Sequence, residues 1–582
     1  MSYDPERITF FAKTDARGKQ TPFGIKAKDR TRHVYVIGKT GMGKSTLLEN
    51  MAVQDIRNGE GLAFIDPHGQ TAETLLEYIP PERVKDVLYF APHDMDHPVS
   101  FNVMEDVGPD KRHLVVSGLM SVFEKIWVDA WSARMAYILQ NTLMALLEYP
   151  DATLLGVNRM LSDKNYRKKV VDNITDPSVK SFWVDEFAKY NERYMQEAGD
   201  AIKNKIGQFT ANPLIRNIIG QPKSSFDIRQ MMDERKILIM NLSKGLIGET
   251  NANLLGSMLT TRIYLAAMSR ADLPADLMQK MPNFYFYVDE FQSFANATFA
   301  NILSEARKYK LNLTIAHQYI EQMEEDVRNA VFGNVGTTIA FRVGPFDAEI
   351  LETIFAPKFM AVDLVNLGFA QIYLTLMIDG IGSAPFSAVT LPPLARGERS
   401  NRDEIVEESR RQFARPRADV EKAINDWHAP LPEEPKEKKT DRENDKPRLS
   451  ERNGNGNGSA SKSNSNNHAV NSATRTPPTA RPVERPLVKR HNGNGEARSE
   501  TAPAGRNLEE LRAVLKNISS SEEPKSKTAD PIPDLKSALA GVLKAEVSAP
   551  LPAESGSAAT AIDPKKLERM MRVRSDDKTP LK

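Results

Sequence analysis

The sequence predicts an α/β protein built on a mainly parallel sheet with both faces covered, carrying a mostly helical inserted domain and a disordered C-terminal tail. Three observations predict it. Short apolar runs rich in β-branched and aromatic residues recur, most end in Gly, Asp, Asn or Pro, and several lead into helical patterns, as strands buried on both faces do. Between about Phe101 and Arg235 those runs stop and helical periodicity replaces them. Beyond Pro430 the composition turns charged and rich in Pro, Asn, Gly and Ser, which cannot bury enough apolar surface to fold.

Taken in order, "ITFFAKT" and "TPFGIKAKD" read as a β-hairpin region over residues 1–30. The runs "HVYVIG", "GLAFIDP" and "DVLYFAP" place the first part of the α/β domain over residues 31–104. "RMAYILQNTLMALLEY" and "SFWVDEFAKYNERYMQEAGDAIKNKIGQF" carry the helical inserted domain, residues 105–235. There Trp127 and Trp131 fall four apart on one helix face, a spacing that favours core packing over stacking on nucleic-acid bases. The sheet resumes over residues 236–395 with "KILIMNL", "NFYFYVDE", "LNLTIAHQ", "TTIAFRV" and "AQIYLTLMI". A charged helical extension, "DEIVEESRRQF" to "ADVEKAINDW", occupies residues 396–429. In the tail, residues 430–582, short amphipathic helices are expected near Leu508 to Ile518 and Leu535 to Leu543, with a third island at "KKLERMMRV". The basic cluster "RPVERPLVKRH" reads as linker rather than as a nucleic-acid site.

Composition narrows the function classes. The 582 residues carry 78 Lys+Arg against 77 Asp+Glu, a net charge of +1, so any nucleic-acid surface must be local rather than global. With Cys 0, disulfides and cysteine-ligated zinc are excluded. The start has no charged-then-apolar signal pattern. The longest apolar stretch, Leu364 to Ile378, is broken by Asn366, Gly368 and Gln371 and reads as loop plus strand. A cytoplasmic protein is the expectation.

Two motifs carry chemistry. "GKTGMGKST" spans Gly38, Lys39, Thr40, Gly41, Met42, Gly43, Lys44, Ser45 and Thr46, after the strand "HVYVI" and before the helical "TLLENMAVQDIR". Glycines let such a loop curl so that its N–H groups face phosphate oxygens, and the following helix adds the positive end of its dipole. Lys44 is expected on the β- and γ-phosphates of ATP, and Ser45 on Mg2+. The second motif is "YVDEF", where Asp289 and Glu290 sit side by side at a strand end. Adjacent buried acids repel unless a cation or a division of labour separates them. The Mg2+ that accompanies ATP supplies the cation, with Asp289 on the metal side and Glu290 orienting or deprotonating the attacking water. Gln318 closes the next strand, where its amide can sense the γ-phosphate. Arg307, in "SEARKYK", reads from the residues alone as a surface arginine, and Arg342, in "IAFRVG", as a weaker candidate. "DPHG", Asp66 to Gly69, reads equally as a turn or as part of the site.

Together the phosphate loop, "DPHG", the helical insertion, "VDEF", "EARKYKLNLTIAHQ" and "FGNVGTTIAFRVGPFDAEIL" resemble the HerA/FtsK superfamily of ring-forming ATPases, closest to the TraG/TrwB-like coupling proteins of type IV secretion. The resemblance covers about Ile8 to Pro393. It implies a RecA-like ATPase domain, a helical domain on one face of a hexameric ring, and DNA in the central channel. It also implies that Arg307, between the acid-pair strand and the Gln318 strand, reaches the γ-phosphate of a neighbouring subunit, with Arg342 the alternative. Many coupling proteins begin with membrane-spanning helices and none is present in this sequence, so the expectation is a cytoplasmic chain, or one held at the inner face of the membrane by a partner that binds its C-terminal tail.

The expected function is that of a ring-forming, Mg-dependent ATPase that moves or pumps DNA without sequence preference. The rivals are a secretion or pilus ATPase of the same superfamily acting on protein, and a non-enzymatic scaffold gated by ATP. An intact Glu290 argues against the scaffold, because a binding switch needs no water-activating acid.

Overall fold

Eleven strands form one mixed sheet in the order β2-β1-β13-β10-β9-β3-β8-β7-β4-β6-β5. In chain order they are β1 (Ile8–Thr14), β2 (Pro22–Lys26), β3 (Val34–Ile37), β4 (Gly61–Asp66), β5 (Val87–Phe90), β6 (Ile237–Asn241), β7 (Phe284–Val288), β8 (Leu311–His317), β9 (Thr337–Ala340), β10 (Gln371–Thr375) and, after the small ribbon β11 (Met377–Ile378) and β12 (Ile381–Gly382), β13 (Phe386–Thr390). The computed structural model describes residues 3–15, 18–397 and 399–429, without the side chains of 192–196, 198, 297 and 298. The expected tail and its amphipathic islands lie outside the described residues.

The seven strands from β9 to β5 are parallel, and β10, β13, β1 and β2 extend them antiparallel. Every expected strand is present, including the RecA-like parallel core. The N-terminal hairpin is real, but it is not a separate unit: β13, a strand the apolar runs did not reveal, pairs with β1 and makes the hairpin the rim of the main sheet.

Strand periodicity divides the core into two layers. Tyr35, Ile37, Ala63 and Ile65 point to one face, while Val34, Val36, Leu62 and Phe64 point to the other, as a period of two requires. The second face is covered by the helix Lys44–Arg57 and the helix Gln70–Leu76. The first is covered by the helix Glu249–Met268 and by helices drawn from the long stretch between β5 and β6. That stretch contains no described strand, and its apolar side chains form one continuous core with the sheet.

Several local readings change in three dimensions. The helix Arg112–Ile126 ends before Trp127, and a 3-10 turn, Val128–Ala130, separates it from Trp131. The two indoles therefore do not share a helix face. Trp127 is buried and stacks on Phe123, Trp131 and Phe209, so core packing is its role. The charged extension is two helices, Arg402–Phe413 and Arg417–His428, divided at Pro416, which cannot donate to a continuing helix. Leu364 to Ile378 is the end of a short helix, a loop and strand residues, and no described helix is long and apolar enough to cross a membrane.

A buried ionic cluster ties the elements behind the phosphate loop. Arg30 donates to both oxygens of Asp55, at 2.7 and 2.9 Å, and to the Tyr287 hydroxyl at 2.7 Å, while that hydroxyl donates to Asp55 at 2.6 Å. The Arg30 guanidinium also lies 3.9 Å from the Tyr285 ring centre. Asp55 belongs to the helix Lys44–Arg57 and both tyrosines to β7, so one dry charge pair sets the distance between the strand of the acid pair and the helix of the lysine. Removing one partner strands the other charge out of water. Asp55→Ala is expected to lose about 3–5 kcal/mol in denaturant unfolding, and a loss below about 1 kcal/mol would show that the cluster does not hold these elements.

Buried His33 accepts a hydrogen bond from the Leu313 N–H at 3.1 Å, and desolvation pushes its pKa down from 6.5 to about 4. The folded pKa is depressed, so as pH falls from 6.5 towards 4 the unfolded chain takes a proton that the folded imidazole refuses, and stability is lost at up to about 1.4 kcal/mol per pH unit. His33→Asn keeps a side-chain acceptor, and the backbone at this position, φ 62 and ψ 160, strains both residues alike. Comparison of urea melts at pH 7 and pH 5 should show the variant without that part of the slope; equal slopes would show that the imidazole ionises in place.

Candidate active site

The residues of both motifs meet at the C-terminal edge of the parallel strands, where open α/β sheets place their ligands. The phosphate loop follows β3, the acid pair follows β7, and β8 lies between them. Two strand spacings separate the loop from the acids, about 9.5 Å, and Gln318, which directly follows β8, stands in the gap.

The loop is shaped by its glycines. Gly43 holds φ 111 and opens the helix Lys44–Arg57 with no side-chain cap, so the first N–H groups of that helix face outward for an anion. A Cβ on Gly38 would come within 2.5 Å of the Phe341 Cβ, so only glycine lets β9 close on the loop. Lys39 N–H donates to the Arg342 carbonyl at 2.8 Å, and Ala370 N–H donates to the Met42 carbonyl at 3.3 Å. Thr40, Gly41 and Ser45 are exposed at the tip, with Thr46 half-buried behind them.

Lys44 is buried and donates to the Gly38 carbonyl at 2.6 Å and the Lys39 carbonyl at 3.4 Å. Burial lowers its pKa, with Glu290 and Asp289 opposing. Ser45 Oγ–H donates to Asp289 Oδ2 at 3.2 Å, which brings hydroxyl and carboxylate to one point. Burial first, then Glu290, then Asp66, raise the Asp289 pKa from 3.8 to about 6. An oxygen-rich position beside a desolvated acid is the donor set that a hard divalent cation takes together with phosphate oxygens.

Glu290 has φ 47, a left-handed conformation unusual for a residue with a side chain and costing of order 1 kcal/mol or more. Amides hold both oxygens of its carboxylate. One oxygen accepts from Gln318 Nε2 at 2.6 Å and the other from Gln292 Nε2 at 2.7 Å. Gln318 Oε1 in turn accepts from Thr40 Oγ–H at 2.8 Å. The amide expected to sense phosphate therefore bridges the tip of the phosphate loop and the second acid.

"DPHG" is a structural turn: Asp66 accepts from the N–H groups of His68 and Ala72, at 2.8 and 2.9 Å, and starts the helix Gln70–Leu76. It still contributes a negative neighbour to Asp289. Arg307 is exposed and lies not within a helix but in the 3-10 turn Ala306–Tyr309, ahead of β8. It sits at the opposite end of β8 from Gln318, a strand of seven residues or about 23 Å, so it is remote from its own phosphate loop. Arg342 abuts that loop through its carbonyl. Sequence reasoning missed Gln292, which belongs to no motif and is revealed only by the left-handed turn at Glu290.

A glycine-rich loop at a helix start, an acid pair two strands away and an amide between them define a P-loop ATPase. Two family models match the chain: the central domain of the helicase HerA over residues 14–263, and the TraM recognition site of TraD and TraG over residues 283–354. Over these two stretches the chain is similar to HerA and to TraD and TraG, and its site is that of an ATP hydrolase. Among solved structures, the conjugative coupling protein TrwBdeltaN70 in its unbound monoclinic form is 16% identical, covering 65% of this chain and 88% of its own, with a TM-score of 0.49. TrwB in complex with ADP and Mg2+ is 13% identical, covering 69% and 98%, with a TM-score of 0.48. VirB4 of Thermoanaerobacter pseudethanolicus is 12% identical, covering 67% and 98%, with a TM-score of 0.45. No curated relative matches.

Asp289 is an acid whose charge is penalised by burial and by its acidic neighbours Glu290 and Asp66. Asp289→Asn keeps the acceptor for the Glu290 N–H, 3.0 Å away, and removes that charge. The variant is expected to be more stable than wild type without ligand by about 1–3 kcal/mol while losing turnover. Equal or lower stability in thermal melts at pH 7.5 would show that the acid is already neutralised.

Proposed function

We propose that the protein is a ring-forming, Mg-dependent ATPase that converts hydrolysis into movement of DNA. The observation that carries this reading is the Thr40–Gln318–Glu290 chain, because it joins phosphate binding to the acid that would activate water. Lys44 spends its ammonium on two loop carbonyls, and exchanging them for β- and γ-phosphate oxygens improves its pairing. Phosphate at the loop tip competes for Thr40 and Gln318, which frees one oxygen of Glu290 to take the proton of the attacking water as the bond to the γ-phosphorus breaks on the ADP side. Ser45 and Asp289 would hold Mg2+, whose chemistry is to neutralise the phosphate charge. After release of phosphate, Gln318 returns to its bridge.

Arg307 is the proposed trans residue. It is exposed at the edge of the sheet away from its own phosphate loop, so it can serve only a neighbour's site, whereas Arg342 lies beside its own. A hexameric ring supplies such a neighbour, and hydrolysis then depends on assembly. The division at residues 31–104 and 236–395 for the ATPase body, 105–235 for the helical insert and 396–429 for the extension is part of this reading. So are a cytoplasmic position, or one at the inner face of the membrane, and partner binding through residues 430–582.

Turnover measured against protein concentration, with and without single- and double-stranded DNA, tests the reading. Wild type should show cooperative turnover, raised by DNA at low salt and less so at high salt. Arg307→Ala should lose at least tenfold in kcat while still binding nucleotide, and Glu290→Gln should bind ATP without turning it over. Turnover that requires Arg307 but ignores DNA would instead favour the protein-moving secretion ATPase, and wild-type turnover in Glu290→Gln would place the base elsewhere.

A further inference from the structure

We propose that Lys125 is a positioning residue that couples the helical stretch to hydrolysis by setting Glu290 through Gln292. The inference rests on the ATPase reading above and extends it to a residue far from either motif.

Lys125 lies in the last turn of the helix Arg112–Ile126, between β5 and β6. Its Nζ donates to the Gln292 carbonyl at 2.6 Å and to the Ala295 carbonyl. Those carbonyls belong to the loop that leaves β7 through Asp289 and Glu290. In the same loop, the Gln292 side chain holds Glu290 Oε2 at 2.7 Å. One ammonium on the helical side thus fixes the peptide whose side chain fixes the carboxylate.

The surrounding contacts make this link stiff. The helix Arg112–Ile126 crosses the helix Glu249–Met268 so closely that a Cβ on Gly118 would lie 2.4 Å from Thr261 Cγ2. Five residues before Thr261, a Cβ on Gly256 would lie 2.3 Å from the Phe294 ring, so the same long helix carries the acid-pair loop. Lys244 donates to Ser293 Oγ at 3.1 Å from the start of this layer. A shift of the helix Arg112–Ile126 against the helix Glu249–Met268 is therefore delivered to the loop at Lys125. The ammonium is satisfied by carbonyls, and burial lowers its pKa to about 8, with Glu324 the charge that opposes this. Holding a desolvated ammonium there is costly, whereas a neutral side chain would pack the same helix end without that cost.

In this arrangement Gln318 reports the nucleotide to Glu290 from one side and Gln292 reports the helical stretch from the other. Glu290 becomes productive only when both amides are correctly placed.

The test uses the full chain and five proteins: wild type, Lys125→Met, Lys125→Arg, Gln292→Leu and the double variant Lys125→Met with Gln292→Leu. A fluorescent ATP analogue measures binding, and steady-state turnover gives kcat and KM. Lys125→Met is expected to bind the analogue within twofold of wild type, keep KM within twofold and lose about tenfold in kcat. Lys125→Arg should recover at least half of that loss, and Gln292→Leu should match Lys125→Met. The double variant should be no slower than either single one, because both act through the same contact. Wild-type kcat in Lys125→Met, or a change carried in KM alone, overturns the proposal while leaving the ATPase reading intact. Inactive wild type overturns both. Should Lys125→Met fail to fold, Gln292→Leu decides: a kcat defect supports the coupling and wild-type kcat overturns it.

Discussion

The structure depends on one strand lying between two others. β3 brings the phosphate loop to the sheet edge and β7 brings the acids, while β8 holds them two spacings apart. Adjacent strands would press Lys44 directly against Asp289, and the pair would neutralise itself with no room for phosphate. A wider gap would leave the acids too distant to act. The separation of about 9.5 Å is a property of hydrogen-bonded backbone, so it is insensitive to side-chain rearrangement.

That spacing also explains the electrostatics. Asp289, Glu290 and Asp66 share a dry cleft with one buried lysine, and the acid nearest the loop is pushed towards its protonated form. Such a cleft is underpaired in cations until a ligand brings more, so the energy stored in burying the acids is recovered on binding. The Arg30–Asp55–Tyr287 cluster works differently. Its charges are already paired farther back along β7, at the other end of the helix Lys44–Arg57 from Ser45, and it provides a rigid backing rather than an unsatisfied site.

Much of the fold was legible because each strand carries its own signature. The apolar runs located β3 to β10, and the hairpin residues located β1 and β2. β13 escaped because "FSAVT" alternates apolar and small polar residues weakly. The Trp127 and Trp131 spacing misled in a different way: four residues apart implies one helix face only if the helix continues, and its end at Ile126 is decided by packing. In the site, Lys44, Ser45, Asp289, Glu290 and Gln318 were found from motifs at strand ends. Gln292 and Lys125 were not, because their roles arise from a left-handed turn and from a helix more than a hundred residues earlier.

What the sequence by itself determined is the set of chemical groups and the local elements that present them. Glycines at fixed offsets permit only a curled loop, and apolar runs of strand length permit only buried strands, because both constraints act within a few residues of the chain. Only the tertiary structure decided which strand ends would be neighbours. It also decided that Arg307 faces away from its own site while Arg342 touches it, and that both oxygens of Glu290 are held by amides. Those outcomes follow from strand order and helix crossing, which join residues distant in the chain through contacts that no local pattern encodes.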